Sequence, residues 1–247
     1  MYEINITVSP RFYGWNEEAE IKLKNSVNDV SDRIEFSDGL DGRRVYIRFE
    51  DAEKAEAALT DFMIEFYCVS AKRGYLATKL RLPMISDLSK DALIHTLIAF
   101  DRDRDEESIK GELSFGENFS IDGFYNFRLR GIERRWNEIV GLTADNFALM
   151  YDENALDLLI RFLLSTVAPR FDSVVLGENC GRYELETADG EVLYAQDAGE
   201  LVAALIDIAP MEIILRGELS DAALEKRLVD MFEVRGERNS LAFGEKI

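Results

Sequence analysis

The sequence predicts an α+β fold, with mixed α/β units at the two ends of the chain packed on a helical middle region. Residues 1–70 alternate strand and helix patterns, residues 71–168 show mainly helical spacing, and residues 169–247 return to mixed strands and helices. No Pro-rich or Gly/Ser-rich linker separates these regions, so we expect them to pack on one another as one compact chain. A hydrophobic fraction of 47% is typical of a globular protein rather than a disordered one.

The first region reads as strand, helix, two strands, helix. Alternating residues predict a strand over 3–8, and apolar residues at helical spacing predict a helix over 15–30. Two short apolar runs with turn residues between them predict a β-hairpin over 34–49. Asp51 is expected to cap a second helix.

The middle region is predicted to consist of helices. One is capped by Asp87 and carries the single histidine, His95, which we expect to be a packed residue. A second helix is predicted over 122–140. The third, over 155–168, is the longest apolar run, but it is interrupted by polar residues and shorter than the roughly 20 residues that span a bilayer.

The last region returns to mixed structure, and Asp189-Gly190 is a strong hairpin signal. Its predicted elements are a strand over 171–176, hairpin strands over 182–185 and 191–194, a helix over 197–208, a strand over 212–215, a helix over 219–232 and an edge strand over 241–243.

The charge of the chain is strongly negative and unevenly distributed. Twenty-nine Lys and Arg stand against 48 Asp and Glu, a net charge of −19, which argues against general binding to nucleic acids or anionic membranes. Residues 1–70 hold 8 basic and 15 acidic groups, and residues 171–247 hold 7 and 17. Residues 71–170, with 14 and 16, are nearly neutral, so a local site for an anion or an acidic partner stays open there.

No export signal and no catalytic motif is found in the sequence. The N-terminus lacks a basic segment followed by an apolar one, and only two cysteines occur, Cys68 and Cys180, so we expect a cytoplasmic protein without a disulfide. Phosphate-binding glycine loops, HExxH, CxxC and GxSxG patterns are absent. The sequence therefore assigns no catalytic residue, no cofactor and no metal ligand.

An acidic run shares part of the pattern of a calcium-binding loop. Asp101, Asp103, Asp105 and Glu112 occupy positions 1, 3, 5 and 12 of that pattern. Position 6, which requires glycine, holds Glu106, and arginines alternate with the acids. We therefore expect a solvated loop between helices rather than a metal site.

Residues 120–140, SIDGFYNFRLRGIERRWNEIV, are the most unusual stretch, and we call them the Arg/Phe segment. On one continuous helix, an apolar stripe would face the core; its members are Tyr125, Leu129, Ile132, Trp136, Ile139 and Val140. Off the stripe lie the residues that we predict to form a binding surface: Phe124, Phe127, Arg128, Arg130, Arg134 and Arg135. The alternative is a helix packed on both sides, with its arginines paired to acids of neighbouring regions.

The Arg/Phe segment also carries a family resemblance. Residues 121–130, IDGFYNFRLR, resemble the GF-x-x-FRL-(K/R) segment of the sporulation protein YtxC-like family. Residues 158–164 are similar to the apolar helix of that family, and residues 203–215, AALIDIAPMEIIL, to its L-x-x-IAP-x-x-I segment. The resemblance implies a cytoplasmic protein of a spore-forming bacterial lineage. It supplies no enzymatic activity, because the family has none assigned.

Two principal functions follow from these observations. We expect a non-enzymatic, sporulation-associated protein that binds a protein partner through the Arg/Phe segment. The alternative is an enzyme or a small anionic-ligand-binding protein whose pocket lies between the regions, with Arg128 and Arg135 holding the anion. Nucleic-acid binding through the four arginines is a third possibility, against which the overall charge argues.

Overall fold

The computed structural model describes residues 2–10, 12–39, 42–80, 82, 85–145 and 152–236. In chain order, the elements are β1 (Tyr2–Val8), α1 (Glu17–Val27), β2 (Ser31–Gly39), β3 (Gly42–Phe49), α2 (Ala52–Glu65), a π-helical segment (Phe66–Ala71), α3 (Lys72–Lys79), α4 (Asp87–Phe100), α5 (Arg102–Glu112), β4 (Asn118–Ser120), α6 (Ile121–Arg128), α7 (Arg130–Asp145), α8 (Glu153–Leu164), β5 (Phe171–Asn179), β6 (Arg182–Thr187), β7 (Val192–Ala195), α9 (Ala198–Ile208), β8 (Pro210–Leu215), α10 (Ala222–Met231) and β9 (Val234–Gly236). The fold class is α+β, as predicted.

The chain forms two compact units rather than three consecutive regions. The first unit contains residues 1–81 and 101–146, and the second contains residues 82–100 and 147–247. The helices predicted as one middle region, 71–168, are therefore divided between the units. The physical reason is that α4 packs on α8 and α9, and α8 also packs on α10, so that the apolar faces of these helices cover one another.

The first unit is built on a four-stranded sheet in the order β2-β3-β1-β4. β1 pairs antiparallel with β3 and parallel with β4, and β2 and β3 form the predicted hairpin. The predicted cap of α2 is confirmed, since the Asp51 carboxylate accepts hydrogen bonds from the N–H groups of Glu53 and Lys54. β4, α3, α5 and the π-helical segment were not predicted from the sequence.

An aromatic cluster positions α6 against this sheet. The Tyr67 hydroxyl donates a hydrogen bond of 3.0 Å to the Ile121 carbonyl at the start of α6. Phe12 packs on Tyr67 and Tyr125, with ring centroids 6.3 and 5.3 Å away. Close by, Gly14 has a φ of +75°, and a Cβ there would lie 2.3 Å from the Ser70 carbonyl oxygen. Only glycine permits this approach of the backbone to the π-helical segment.

The second unit contains a five-stranded sheet in the order β7-β6-β5-β8-β9, and its predicted elements up to α10 are confirmed. Ala209 follows directly after α9 as a non-glycine residue with a left-handed φ of 46°, and Pro210 begins β8. His95 is buried, as expected, with Nδ1 3.3 Å from an Asp207 carboxylate oxygen. The strand predicted over 241–243 lies outside the described residues, and β9 is the edge strand within them.

Both cysteines are free; Cys68 is buried and Cys180 is exposed. Among the described residues, no helix combines the length and the apolar character needed to cross a membrane.

Candidate functional site

The Arg/Phe segment forms two helices, so the prediction of one helix over 122–140 is wrong. α6 ends at Arg128, and Leu129 leaves the helical region with φ −94° and ψ 21°. The Leu129 N–H still bonds to the carbonyls of α6, while its own carbonyl accepts the first hydrogen bonds of α7 from Ile132 and Glu133. Because of this break, α6 and α7 each bury apolar residues on a side of their own.

Most of the predicted core stripe is confirmed, but Phe124, which was predicted to lie on the binding surface, is buried. Tyr125, Leu129, Ile132 and Trp136 are buried. Phe124 is only 8% exposed, with its ring centroid 5.5 Å from that of Tyr67 and 5.4 Å from that of Phe119. Phe124 therefore belongs to the core and is not part of a binding surface.

Arg135 is also removed from the predicted surface, because it joins a buried charge cluster. Its Nη2 donates to Asp105 Oδ1 at 2.9 Å and to Ser108 Oγ at 3.0 Å. Asp105 is fully buried, and its Oδ2 accepts from Lys72 Nζ at 2.9 Å and from Trp136 Nε1 at 2.8 Å. For Arg135, the structure thus agrees with the alternative of packing against acids.

Asp101 completes this cluster. Its Oδ2 lies 3.8 Å from Lys72 Nζ and 3.9 Å from Arg135 Nε, and burial raises its pKa above the ordinary value. Asp101 is therefore buried just before α5, and Asp105 is buried within it. The prediction of a solvated loop here is wrong. No set of three His, Cys, Asp or Glu side chains in the described part of the chain is arranged to hold a metal ion.

The remaining predicted residues are all exposed, and we call them together the Phe127 surface: Phe127, Arg128, Arg130 and Arg134. Phe127 is 72% exposed, and Arg130 Cζ lies 5.8 Å from the centroid of its ring. Arg130 Nε donates to the Asn126 carbonyl at 2.9 Å, which fixes the guanidinium near the ring. Arg134 is exposed and has no ion-pair partner within the described ranges.

Arg128 lies where the Phe127 surface meets a groove between α5 and α7. The groove has a volume of about 420 Å³ and is lined by Arg128, Arg135, Ser108, Glu107, Glu112, Gly111, Leu129, Gly131 and Ile132. Arg128 Nη1 is 3.7 Å from a Glu112 carboxylate oxygen, and both side chains are about half exposed. Because Glu107 and Glu112 line the same groove as the two guanidiniums, its charge is nearly balanced. This arrangement argues against Arg128 and Arg135 jointly holding a small anion.

The buried charge cluster was not predicted from the sequence, although part of it has a local signal. Asp101 and Asp105 are four residues apart, a spacing that places both carboxylates on one face of a helix. Lys72 has no comparable local signal, because it reaches the cluster through the tertiary packing around α3.

No family model, curated protein or solved structure matches this chain. The similarity of residues 121–130 to the YtxC-like family remains a prediction from the sequence.

Proposed function

We propose that this protein is non-enzymatic and binds an acidic segment of a protein partner through the Phe127 surface. The observation that supports the proposal is the exposed pairing of Phe127 with Arg130, beside two further exposed arginines, in a chain of net charge −19. Aromatic and arginine side chains are enriched at protein interfaces, where such residues contribute most of the binding energy.

The chemistry of the patch favours a peptide over a small anion. Phe127 offers an apolar ring of the size that typically anchors an interface, and the guanidinium of Arg130 stacks on that ring. An acidic side chain next to an apolar one would match both groups. Arg134, one turn along α7, would meet a second acid of the same segment.

The family resemblance supports a role in sporulation for this interaction, and a cytoplasmic location. It bears on the same residues, because Phe124, Phe127, Arg128 and Leu129 carry the resemblance. Of these four, Phe124 and Leu129 are buried, whereas Phe127 and Arg128 are available to a partner.

The test begins with a photo-crosslinking amino acid, p-benzoylphenylalanine, at position 127 in cells of the source organism. We expect a specific crosslinked partner, whose affinity for the purified protein is then measured by calorimetry. Arg130→Glu and Arg134→Glu should each weaken binding about tenfold or more, since each introduces like charge opposite an acid.

The matched control is Arg33→Glu on β2, where an exposed arginine is already paired with Glu35. Unchanged affinity in the folded Arg130→Glu and Arg134→Glu variants would refute the assignment of the surface. Retention of an oligonucleotide by the protein in a low-salt filter assay, lost in the same variants, would replace a protein partner with a nucleic acid.

A further inference from the structure

Two polar atoms in the buried charge cluster have no hydrogen-bond partner among the residues that the structure describes: Asp101 Oδ2 and Arg135 Nε. They lie 3.9 Å apart, and Lys72 Nζ lies 3.8 Å from the same Asp101 oxygen. A direct N–H···O hydrogen bond is about 2.7–3.2 Å long, so neither cation donates one to this oxygen. Buried polar atoms in native proteins are nearly always paired, either with protein groups or with ordered water. The two unpaired atoms therefore indicate an occupant of the gap between them.

The neighbouring hydrogen bonds keep this gap open. Arg135 Nη2 donates to Asp105 Oδ1 at 2.9 Å and to Ser108 Oγ at 3.0 Å, and these bonds hold the guanidinium on α5. Lys72 Nζ donates to Asp105 Oδ2 at 2.9 Å. Asp101 is anchored where α5 begins, because its carbonyl accepts a hydrogen bond of 3.0 Å from the Asp105 N–H. Movement of either cation towards Asp101 would therefore lengthen a bond to Asp105.

We propose that one buried water molecule occupies this gap and bonds to Asp101 Oδ2 and Arg135 Nε, with Lys72 Nζ as its third partner. The water donates to the carboxylate and accepts from the guanidinium and the ammonium group. Three hydrogen bonds are the usual number for a buried water. A water about 2.8 Å from each atom can bridge pairs of atoms that are 3.8 and 3.9 Å apart.

The charges around the gap favour a neutral occupant. A cation in the gap would be repelled by Lys72 and Arg135. An anion such as chloride would be repelled by Asp101 and could not donate the hydrogen bond that Asp101 Oδ2 lacks. A neutral molecule that both donates and accepts hydrogen bonds matches all three groups, and water is the smallest such molecule.

The cluster has one side from which water can enter. Arg135 and Ser108 line the groove of about 420 Å³ between α5 and α7. The Arg135 side chain is 18% exposed, whereas those of Lys72 and Asp105 are fully buried. Water can therefore reach the gap past Arg135, and once bound it is shielded by the other members of the cluster. We expect it to exchange slowly with solvent.

The proposed water completes the polar network of the cluster. It joins Lys72 at the start of α3, Asp101 before α5 and Arg135 on α7. A buried network in which every polar group is hydrogen-bonded is rigid, so the water would fix α7 relative to α5. The water binds within the isolated chain, and its detection is therefore independent of the partner proposed for the Phe127 surface.

The experiment is nuclear magnetic resonance on the full, isotope-labelled chain, with the Arg135 Nε–H proton as the probe. We expect a nuclear Overhauser cross-peak between this proton and water. A bound water gives cross-peaks of opposite sign in the laboratory and rotating frames, whereas proton exchange gives the same sign in both. The Arg135 signal is assigned by its loss in Arg135→Lys. The matched control is Arg43, whose Nε already donates to Glu20 Oε1 at 2.8 Å and should show no such cross-peak.

Two variants of matched chemistry test the role of the carboxylate. Asp101→Leu removes the acceptor and places an apolar group beside the gap, so the cross-peak should be lost. Asp103→Leu, at an exposed position of α5, should keep it. Folding of each variant is checked by circular dichroism. Absence of the cross-peak at the assigned Arg135 signal of the wild type, or its persistence in folded Asp101→Leu, would overturn the proposal.

A high-resolution crystal structure of the wild type supplies a readout that needs no variant. We expect an electron-density peak about 2.7–3.2 Å from both Asp101 Oδ2 and Arg135 Nε. A direct hydrogen bond between these two atoms, a gap without such a peak, or an anomalous signal that identifies chloride would each overturn the proposal.

Discussion

Substitution of Asp105 by asparagine tests the buried charge cluster of the first unit most directly. The Asp105 carboxylate is fully buried and accepts three hydrogen bonds, from Lys72, Arg135 and Trp136. Asparagine keeps the size of the side chain but loses its charge. It also places an NH₂ group opposite a donor, because all three partners are donors. At least one hydrogen bond is therefore replaced by a donor–donor contact.

The expected loss of stability can be bounded from the contacts. Removing one partner of a buried ion pair costs about 3–5 kcal/mol, mainly because the other charge remains buried without compensation. Lys72 would keep Asp101, whose nearer oxygen is 3.8 Å away. We therefore expect a loss near the lower limit, about 3 kcal/mol. Asp103→Asn, an exposed position on the same helix, should change stability by less than about 0.5 kcal/mol.

Urea unfolding followed by tryptophan fluorescence is the appropriate assay. The two tryptophans of the chain, Trp15 and Trp136, both lie in the first unit, so the signal reports on the unit that contains the cluster. The free energy of unfolding follows from the midpoint and the slope of the transition.

A double-mutant cycle with Lys72→Met separates the ion pair from other effects. Lys72→Met alone leaves Asp105 paired with Arg135, so it should cost less than Asp105→Asn. The double variant should be more stable than the sum of the single losses predicts, by about 1–2 kcal/mol. A loss below about 1 kcal/mol in Asp105→Asn, or two losses that simply add, would refute the view that Lys72 and Asp105 act as a coupled buried pair.

Three further predictions concern strain, thiol reactivity and pH. Ala209→Gly should raise the free energy of unfolding by about 1 kcal/mol, because Ala209 has a φ of 46° that glycine adopts without strain. The measurement is urea unfolding followed by circular dichroism, and a decrease in the free energy of unfolding would contradict this reason. Burial raises the pKa of the Cys68 thiol to about 12, so a thiol reagent at about pH 8 should modify Cys180 alone in the folded protein and both cysteines in guanidinium. Two fast-reacting thiols without denaturant would be inconsistent with the fold. Burial also raises the pKa of Asp101 above 3.8; the stability that this group contributes is present below pH 3.8 and is lost as the pH rises through the folded-state pKa. The free energy of unfolding of Asp101→Asn relative to wild type should therefore rise between about pH 3 and 7, and a difference independent of pH would show that Asp101 is not the group responsible.

The parts of the fold that follow from local signals could be predicted from the sequence. Asp51 caps α2, Asp189-Gly190 marks the hairpin of β6 and β7, and Pro210 ends α9 and begins β8, because each acts within a few residues of its own position. β4 has only three residues and exists through its pairing with β1, which a local pattern does not contain. α5 is almost entirely charged or polar, so its helical character was hidden by the acidic run.

The candidate site shows the same difference between features set by local signals and features set by tertiary contacts. A helical wheel assigns directions only while a helix is continuous, and the break at Leu129 changes the direction of every residue before it. Phe127 and Phe124 appeared equivalent on one wheel, yet Phe127 is 72% exposed and Phe124 is 8% exposed. The partly buried Arg135 pairs with Asp105, 30 residues before it in the chain, and Asp105 pairs in turn with Lys72, a further 33 residues away. Such tertiary partners are not encoded in local spacing.

Neither unit is continuous in sequence, and this has a consequence for synthesis on the ribosome. α4, with its apolar residues, leaves the ribosome before the last helices of the first unit, but its packing partners α8 and α9 follow more than 50 residues later. The first unit can finish folding while Leu93 and Leu97 of α4 still lack the neighbours that bury them. During that interval the apolar residues of α4 stay unburied, and transiently exposed apolar surface makes a folding chain prone to aggregation. Truncation at any single position would cut through at least one unit or leave α4 without its partners.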